Sequence, residues 1–114
     1  MIANLTGHDI HIVNKFGEVV KTIETCPYEE PIRAEVKQRR LNRIEGIKVT
    51  KLYYNTDVSL VKMRELTQKY SCIIVSKITA EALKAQGFTD NIYISGRKFY
   101  LYGELVGVKE LSKF

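Results

Sequence analysis

Two short polar segments in the C-terminal half of the sequence carry side chains that could bind a small ligand. Phe88-Thr89-Asp90-Asn91 follows Gly87, and Ser95-Gly96-Arg97-Lys98 comes four residues later. An aromatic ring can stack on a base, Thr and Asn can bind its edge or a ribose hydroxyl, and Arg can bind a phosphate. Together these residue types suit a nucleotide-like ligand. A structural alternative has equal weight: the ring anchors a loop in the core, the polar residues form a turn, and the cations are solvated.

The N-terminal segment Asn4–Ile10 concentrates directional hydrogen-bonding groups around a glycine. Thr6, His8 and Asp9 lie beside Gly7, immediately before an alternating strand pattern. Such a turn at the mouth of a strand can border a binding site. The same side chains can instead close the turn through bonds to the backbone, and position alone favours this structural role.

The junction at Ser76 is a third candidate, because an apolar strand ends there and a helical pattern follows. Free backbone N–H groups and the positive end of a helix dipole bind phosphate readily. No glycine-rich loop precedes Ser76, so the favoured interpretation is an ordinary N-cap.

Patterns typical of catalysis are missing from the sequence. There is no nucleophile elbow, phosphate-binding loop or dinucleotide fingerprint. His8 and His11 are three residues apart, which in a strand directs them to opposite faces and argues against shared metal ligation. The adjacent carboxylates of Glu29 and Glu30 lie beside a proline and are expected to face solvent. We therefore expect neither an enzyme nor a bound metal or cofactor.

Length and charge limit the partners. At 114 residues the chain is expected to form a single ligand-binding domain over residues 1–114. Eighteen Lys and Arg against 13 Asp and Glu give a formal charge of +5, which favours nucleic acid, nucleotides, phosphorylated metabolites or acidic membrane surfaces. The densest basic run, Lys37 to Arg40 with Arg43, is short and isolated. It favours a solvated loop or strand end over a nucleic-acid-binding arm.

Cysteine and tyrosine residues add weaker indications. Cys26 and Cys72 are too few for a zinc site or a disulfide framework. With no signal peptide and no long apolar stretch, the chain is expected to stay in the cytoplasm. Rings with polar tips are typical of subunit interfaces or stacking surfaces, and the interface is slightly favoured. Five tyrosines fit this description: Tyr53, Tyr54, Tyr93, Tyr100 and Tyr102.

Hydrophobic patterning predicts an α+β fold, a mostly antiparallel sheet with two helices packed on it. The first helix is predicted over 57–69 with Thr56 as its cap, and the second over 78–86, closed by Gly87. The predicted strands cover 8–13, 18–23, 32–40, 47–54, 72–75 and 91–95, with a terminal hairpin over 98–108.

Five segments, in order along nearly the whole chain, resemble a family of small phage proteins. They are Asn4–Ile10, Glu45–Val49, Ile74–Ala82, Asp90–Gly96 and Val106–Leu111. The family is the first type of Thoeris anti-defence sponge, which binds cyclic ADP-ribose signals made by bacterial TIR proteins. The chain departs from the family pattern at Gly7, at Pro27–Pro31 and in the predicted helix that replaces a Gly/Pro-rich loop.

The resemblance implies that the protein sequesters glycocyclic ADP-ribose without cleaving it and so blocks Thoeris defence in the infected bacterial cell. It implies a homodimer or larger ring with pockets between protomers, and cyclic oligonucleotides as a further ligand class. No membrane and no stable nucleic-acid partner are expected. A small nucleic-acid-binding module and a cyclic-nucleotide hydrolase remain the alternatives.

Candidate ligand contacts follow from combining the resemblance with the residue types. Phe88 would stack on the adenine, and Asn91 with Thr89 would bind its edge or a ribose. The pyrophosphate would be neutralised by cationic and helix-terminal groups, and the N-terminal turn would border the pocket. Arg33, Arg97 and Ser76 would contact the pyrophosphate. Thr6 and His8 would border the pocket.

Overall fold

The computed structural model describes residues 1–114 as ten strands and two helices. In chain order they are β1 (Ile2–Asn4), β2 (Ile10–Val13), β3 (Val19–Ile23), β4 (Ala34–Ile44), β5 (Ile47–Thr56), α1 (Leu60–Lys69), β6 (Cys72–Ile74), α2 (Lys77–Ala85), β7 (Ile92–Ser95), β8 (Lys98–Leu101), β9 (Glu104–Val108) and β10 (Leu111–Lys113).

Two four-stranded sheets and a two-stranded ribbon contain all the strands. The central sheet has the order β1-β6-β7-β10, with the first three strands parallel and β10 antiparallel. The outer sheet has the order β3-β2-β9-β8, where β2 and β9 are parallel and the other two pairings are antiparallel. Strands β4 and β5 pair only with each other. The predicted α+β class is confirmed.

The central sheet is covered on both faces. Side chains alternate across a strand, so Leu5, Ile73 and Ile92 face the helices and pack in the main core with Met63 of α1 and Leu83 of α2. On the other face a smaller cluster joins the central sheet to the outer one, and its buried members are Ile10, Ile74 and Val108. The layers are therefore helices, central sheet and outer sheet.

The ribbon of β4 and β5 projects from these layers. Its strands are eleven and ten residues long, and nearly every side chain along them is exposed. The tip is a two-residue turn in which Glu45 and Gly46 both have positive φ, 48° and 77°. Such a turn matches the twist of a hairpin, and Gly46 adopts the left-handed conformation at no steric cost.

Most predicted elements are present, with three corrections. Helix α1 begins at Leu60 and is capped by Ser59, whose hydroxyl accepts the Lys62 N–H at 3.1 Å. Thr56 is instead the last residue of β5 and donates to Gln86 Oε1 at 2.7 Å. Strands β1 and β10 were not predicted, because three residues carry too little pattern and their pairing partners are distant in sequence. Neither helix is long and apolar enough to span a membrane.

Candidate functional site

The carboxyl ends of three parallel strands meet at one edge of the central sheet. The register aligns Asn4 with Ile74 and Ile74 with Tyr93. Two residues further on, Thr6, Ser76 and Ser95 therefore lie at one level, each just beyond or at the end of its strand. Ligands of open sheets with parallel strands bind at such an edge, because the loops that leave the strands converge there.

Asn4 organises the N-terminal turn from below. Its side chain is buried, with 1% of the residue exposed, and its amide nitrogen donates to the carbonyl oxygens of His8 and Ile23, both at 2.9 Å. Its amide oxygen accepts the Thr6 backbone N–H at 3.1 Å and lies 2.6 Å from the Thr6 hydroxyl. All its hydrogen-bonding capacity is used, with three bonds to residues 6–8 and one to Ile23. The turn is thereby fixed against the end of β3.

A cavity of about 330 Å³ opens beside this turn, between the N-terminal segment and the β7–β8 connection. We call it the His8 cavity. Its polar lining consists of His8, Asp9, His11, Ser95 and Lys98, and its apolar wall is formed by Ile10 and by residues 105–108 of β9. The volume falls in the lower part of the range of small-molecule sites, about 300–1,000 Å³.

Three of the five polar side chains are free to bind a ligand. The Asp9 carboxylate already accepts from the backbone N–H and the hydroxyl of Thr25, at 3.0 and 3.3 Å. The His11 ring lies 3.0 Å from the Thr22 hydroxyl. The side chains of the remaining lining residues, His8, Ser95 and Lys98, make no hydrogen bond or ion pair within the chain.

The Arg97 side chain is held outside the cavity lining. Its Nε donates to Glu110 Oε1 at 2.8 Å, and this bond holds the pKa of the Glu110 carboxyl below its usual range. The backbone is bonded to the same residue, since the Gly96 N–H donates to the Glu110 carbonyl oxygen at 2.7 Å. A Cβ on Gly96 would lie 2.7 Å from that oxygen, so this close approach requires glycine. The connection that carries Ser95 and Lys98 is therefore clamped to residues 109–110.

The segment 88–91 lies at the opposite edge of the central sheet, before β7 begins. Phe88 is half-buried and packs against the main core. Asn91 has a φ of 62°, and its amide donates to the carbonyl oxygens of Thr67 and Tyr70, both at 3.1 Å, at the end of α1. Thr89 is exposed. Within one protomer, the structure does not bring Phe88, Thr89 and Asn91 together with His8 or Arg97.

Ser76 and Arg33 lie nearer to the N-terminal turn. Ser76 caps α2, where its hydroxyl accepts the Thr79 N–H at 3.3 Å and donates to the Thr79 hydroxyl at 2.8 Å. Arg33 is exposed, and its guanidinium lies 3.7 Å from the position of a Cβ on Gly7. Of the candidate residues, Thr6, His8, Ser76, Arg33 and Arg97 therefore belong to the carboxyl-edge side.

A second cavity, of about 430 Å³, lies beside the first turn of α1. We call it the α1 cavity. Its charged lining residues are Glu29, Glu30, Asp57 and Lys62, so its formal charge is negative. The Glu29 side chain is only 6% exposed, and its oxygens lie 2.6 Å from Lys62 Nζ and 3.4 Å from Lys69 Nζ. These two ammonium groups lower the pKa of Glu29 against the effect of burial, and Glu29 raises theirs.

Sequence reasoning missed two features of the His8 cavity. It placed His8 and His11 on opposite strand faces, whereas β2 begins only at Ile10 and both rings border the same cavity. It also assigned no ligand contact to Ser95 or Lys98, because nothing local in the sequence indicates that β7 ends level with the N-terminal turn. Comparisons of the chain with protein-family models, with curated proteins and with solved structures find no match.

Proposed function

We propose that the protein is a phage immune-evasion protein that binds glycocyclic ADP-ribose intact and so withholds it from Thoeris defence. Binding occurs at the His8 cavity, where His8, Ser95 and Lys98 supply the free polar groups. The ligand carries a pyrophosphate and two riboses. An ammonium and an imidazole suit the phosphates, and a hydroxyl suits a ribose.

The observation that carries this proposal is the convergence of distant segments on one cavity. Three of the five segments that carry the resemblance contribute to its lining: Asn4–Ile10, Asp90–Gly96 and Val106–Leu111. They are separated along the chain and meet only through the parallel pairing of β1, β6 and β7 and the pairing of β2 with β9. These segments therefore act on one site and not on three separate ones.

Charge supports the same cavity. The α1 cavity is larger, but three carboxylates against one ammonium oppose an anionic ligand there. In the His8 cavity the single carboxylate is already bonded to Thr25, and Lys98 is unpaired. Ser76, at the N-terminus of α2, and Arg33, whose guanidinium lies near Gly7, add a helix N-terminus and a second cation on the same side of the sheet.

Size suggests that the site is completed by a second copy of the chain. A volume near 330 Å³ suits part of a cyclic dinucleotide-like molecule better than all of it. Phe88, Thr89 and Asn91 would contact the same ligand only if a second protomer supplied them. Exposed apolar side chains on the outer sheet offer a self-association surface, and they are Val19, Val20, Tyr100, Leu101 and Leu105.

The direct test is to incubate the protein with glycocyclic ADP-ribose, remove free ligand by gel filtration and release the bound fraction by heat. Chromatography should then return the ligand unchanged. Absence of bound ligand would refute sequestration. Release of an altered molecule would establish the cyclic-nucleotide hydrolase alternative instead.

Assembly is tested by sedimentation velocity on the same sample. We expect a mass of at least twice the 13.1 kDa of one chain. A monomer that still binds the ligand with full stoichiometry would show that one His8 cavity suffices. Phe88, Thr89 and Asn91 would then have no contact with the ligand.

A further inference from the structure

The ribbon of β4 and β5 holds most of the net charge of the protein. Residues 34–56 contain six Lys and Arg and two Glu, a formal charge of +4 out of +5 for the whole chain. The remaining residues are close to neutral. All six cations are exposed: Lys37, Arg39, Arg40, Arg43, Lys48 and Lys51.

No carboxylate of the chain neutralises these cations. The three ion pairs of the protein involve Glu29 and Glu110, and none involves a residue of the ribbon. Arg39 lies directly opposite Lys51 in the register, and like charges in this position repel each other across a strand pair. The ribbon therefore carries an unfavourable charge arrangement that an anion would relieve.

Antiparallel pairing produces this concentration. In the sequence alone, the basic run from Lys37 to Arg43 is short and isolated, which favours a solvated strand end. Pairing with β5 places Lys48 and Lys51 next to it, so that cations occupy both strands. Because partners in the register share a face, Arg39 and Lys51 lie on one face and Arg40 lies on the other.

The dimensions of the ribbon suit a nucleic-acid duplex. Eleven residues at about 3.3 Å each span roughly 36 Å, close to one turn of B-form DNA at about 34 Å. A two-stranded antiparallel ribbon fits the major groove, which is about 12 Å wide. At the tip, Ile44 and Ile47 form an exposed apolar pair at either side of the turn.

Charge favours a nucleic-acid duplex over a second copy of the chain as the partner of the ribbon. Two ribbons packed together would combine +4 with +4, and the rest of the protein offers almost no net negative charge to either. A duplex carries about one negative charge per 1.7 Å of its axis, which matches cations on both faces.

From this charge and shape we propose that the β4–β5 ribbon is a DNA-binding arm that lies along a groove of double-stranded DNA and contacts its phosphates. The arm acts independently of the His8 cavity. Phosphate contacts carry no sequence information by themselves, so binding is not sequence-specific.

The test is fluorescence anisotropy with the full chain and a labelled 20-base-pair duplex of mixed sequence, at sodium chloride concentrations from 50 to 200 mM. Phosphate contacts by all six cations predict a slope of about −5.4 for log affinity against log salt. Arg39→Gln/Lys51→Gln should make that slope shallower by about 2. An unlabelled single strand of the same length should compete less well than the duplex.

The matched control is Lys21→Gln/Lys113→Gln, which removes the same charge from exposed sites on the outer and central sheets. Circular dichroism checks that both variants are folded. Equal slopes for the two double variants, or no binding at the lowest salt, would overturn the proposal. Equal competition by the single strand would show that the ribbon does not bind in a groove of the duplex. A lower sedimentation mass for the ribbon variant alone would assign the ribbon to a second copy of the chain.

Discussion

The two cavities of this protein differ in charge more than in size. The α1 cavity is the larger and is lined by Glu29, Glu30 and Asp57 with Lys62 as its only cation. The His8 cavity is smaller and formally neutral, since the charge of its one carboxylate, which accepts from Thr25, is balanced by Lys98. For an anionic ligand the net charge of the lining decides between them, since the negative lining of the α1 cavity repels a phosphate.

The cavities also differ in how they are held. The α1 cavity is held by side-chain ion pairs between Glu29 and α1, which vary with pH. The His8 cavity is held by the buried amide of Asn4 and by the backbone bond from Gly96 to Glu110, neither of which titrates, together with the exposed Arg97–Glu110 ion pair. A binding site of fixed geometry loses less entropy when its ligand binds.

Replacing Asn4 should remove the support of the His8 cavity. Asn4→Ala removes the four hydrogen bonds of the Asn4 side chain, which join it to the carbonyl oxygens of His8 and Ile23 and to the N–H and hydroxyl of Thr6. We expect the free energy of unfolding to fall by about 3 kcal/mol, since each lost hydrogen bond costs about 0.5–1.5 kcal/mol. Chemical denaturation measures this loss.

Asn14→Ala is the matched control for Asn4→Ala. Asn14 also accepts backbone N–H bonds, from Phe16 and Glu18, but at an exposed turn where water can replace it. Its loss should cost about 1 kcal/mol or less. Equal destabilisation by the two variants would mean that Asn4 has no special role.

Adjacent cations in the β7–β8 connection should differ in their effect on ligand binding. Lys98→Ala should weaken affinity for glycocyclic ADP-ribose by about ten- to hundredfold, because a charge-assisted bond contributes about 1.5–3 kcal/mol. Arg97→Ala removes the same charge from a side chain that is 76% exposed and bonded to Glu110. Its effect should be smaller. Calorimetric titration gives both affinities, and a larger loss for Arg97→Ala would place the phosphates outside the His8 cavity.

Acid should weaken the ion pairs that hold the α1 cavity. The pKa of Glu29 in the folded protein lies below its ordinary value of about 4.5, so its ion pairs stabilise the fold above that pH. This contribution is lost as the pH falls through the lowered folded-state pKa. Thermal melting should therefore show a weaker dependence on pH below about 4.5 for Glu29→Gln than for the wild type. Glu30→Gln, at the exposed neighbouring position, should retain the wild-type dependence.

How far the sequence predicts this molecule depends on how local each feature is. The β2–β3 and β8–β9 hairpins and α2 were predicted because glycine turns, alternation and capping lie within a few residues. The parallel pairing of β1 with β6 has no local signal. The convergence of Thr6, Ser76 and Ser95 therefore needed the structure.

The candidate site follows the same rule. His8 was found because a polar turn before a strand is a local pattern, whereas Lys98 gains its position from the clamp of Gly96 on Glu110. Phe88 and Asn91 were grouped with Arg97 because they are close in sequence. The strand β7 separates them, since Phe88 and Asn91 precede its N-terminal end and Arg97 follows its C-terminal end.

Calorimetric titration distinguishes binding of glycocyclic ADP-ribose at the His8 cavity from binding at the α1 cavity. The three proteins compared are the wild type, His8→Ala/Lys98→Ala, and Tyr28→Ala, which removes an exposed ring from the lining of the α1 cavity. The double variant should lose about a hundredfold or more in affinity. Tyr28→Ala should stay within about twofold of the wild type. Wild-type affinity in the double variant, together with a clear loss in Tyr28→Ala, would show that the ligand binds at the α1 cavity and not at the His8 cavity.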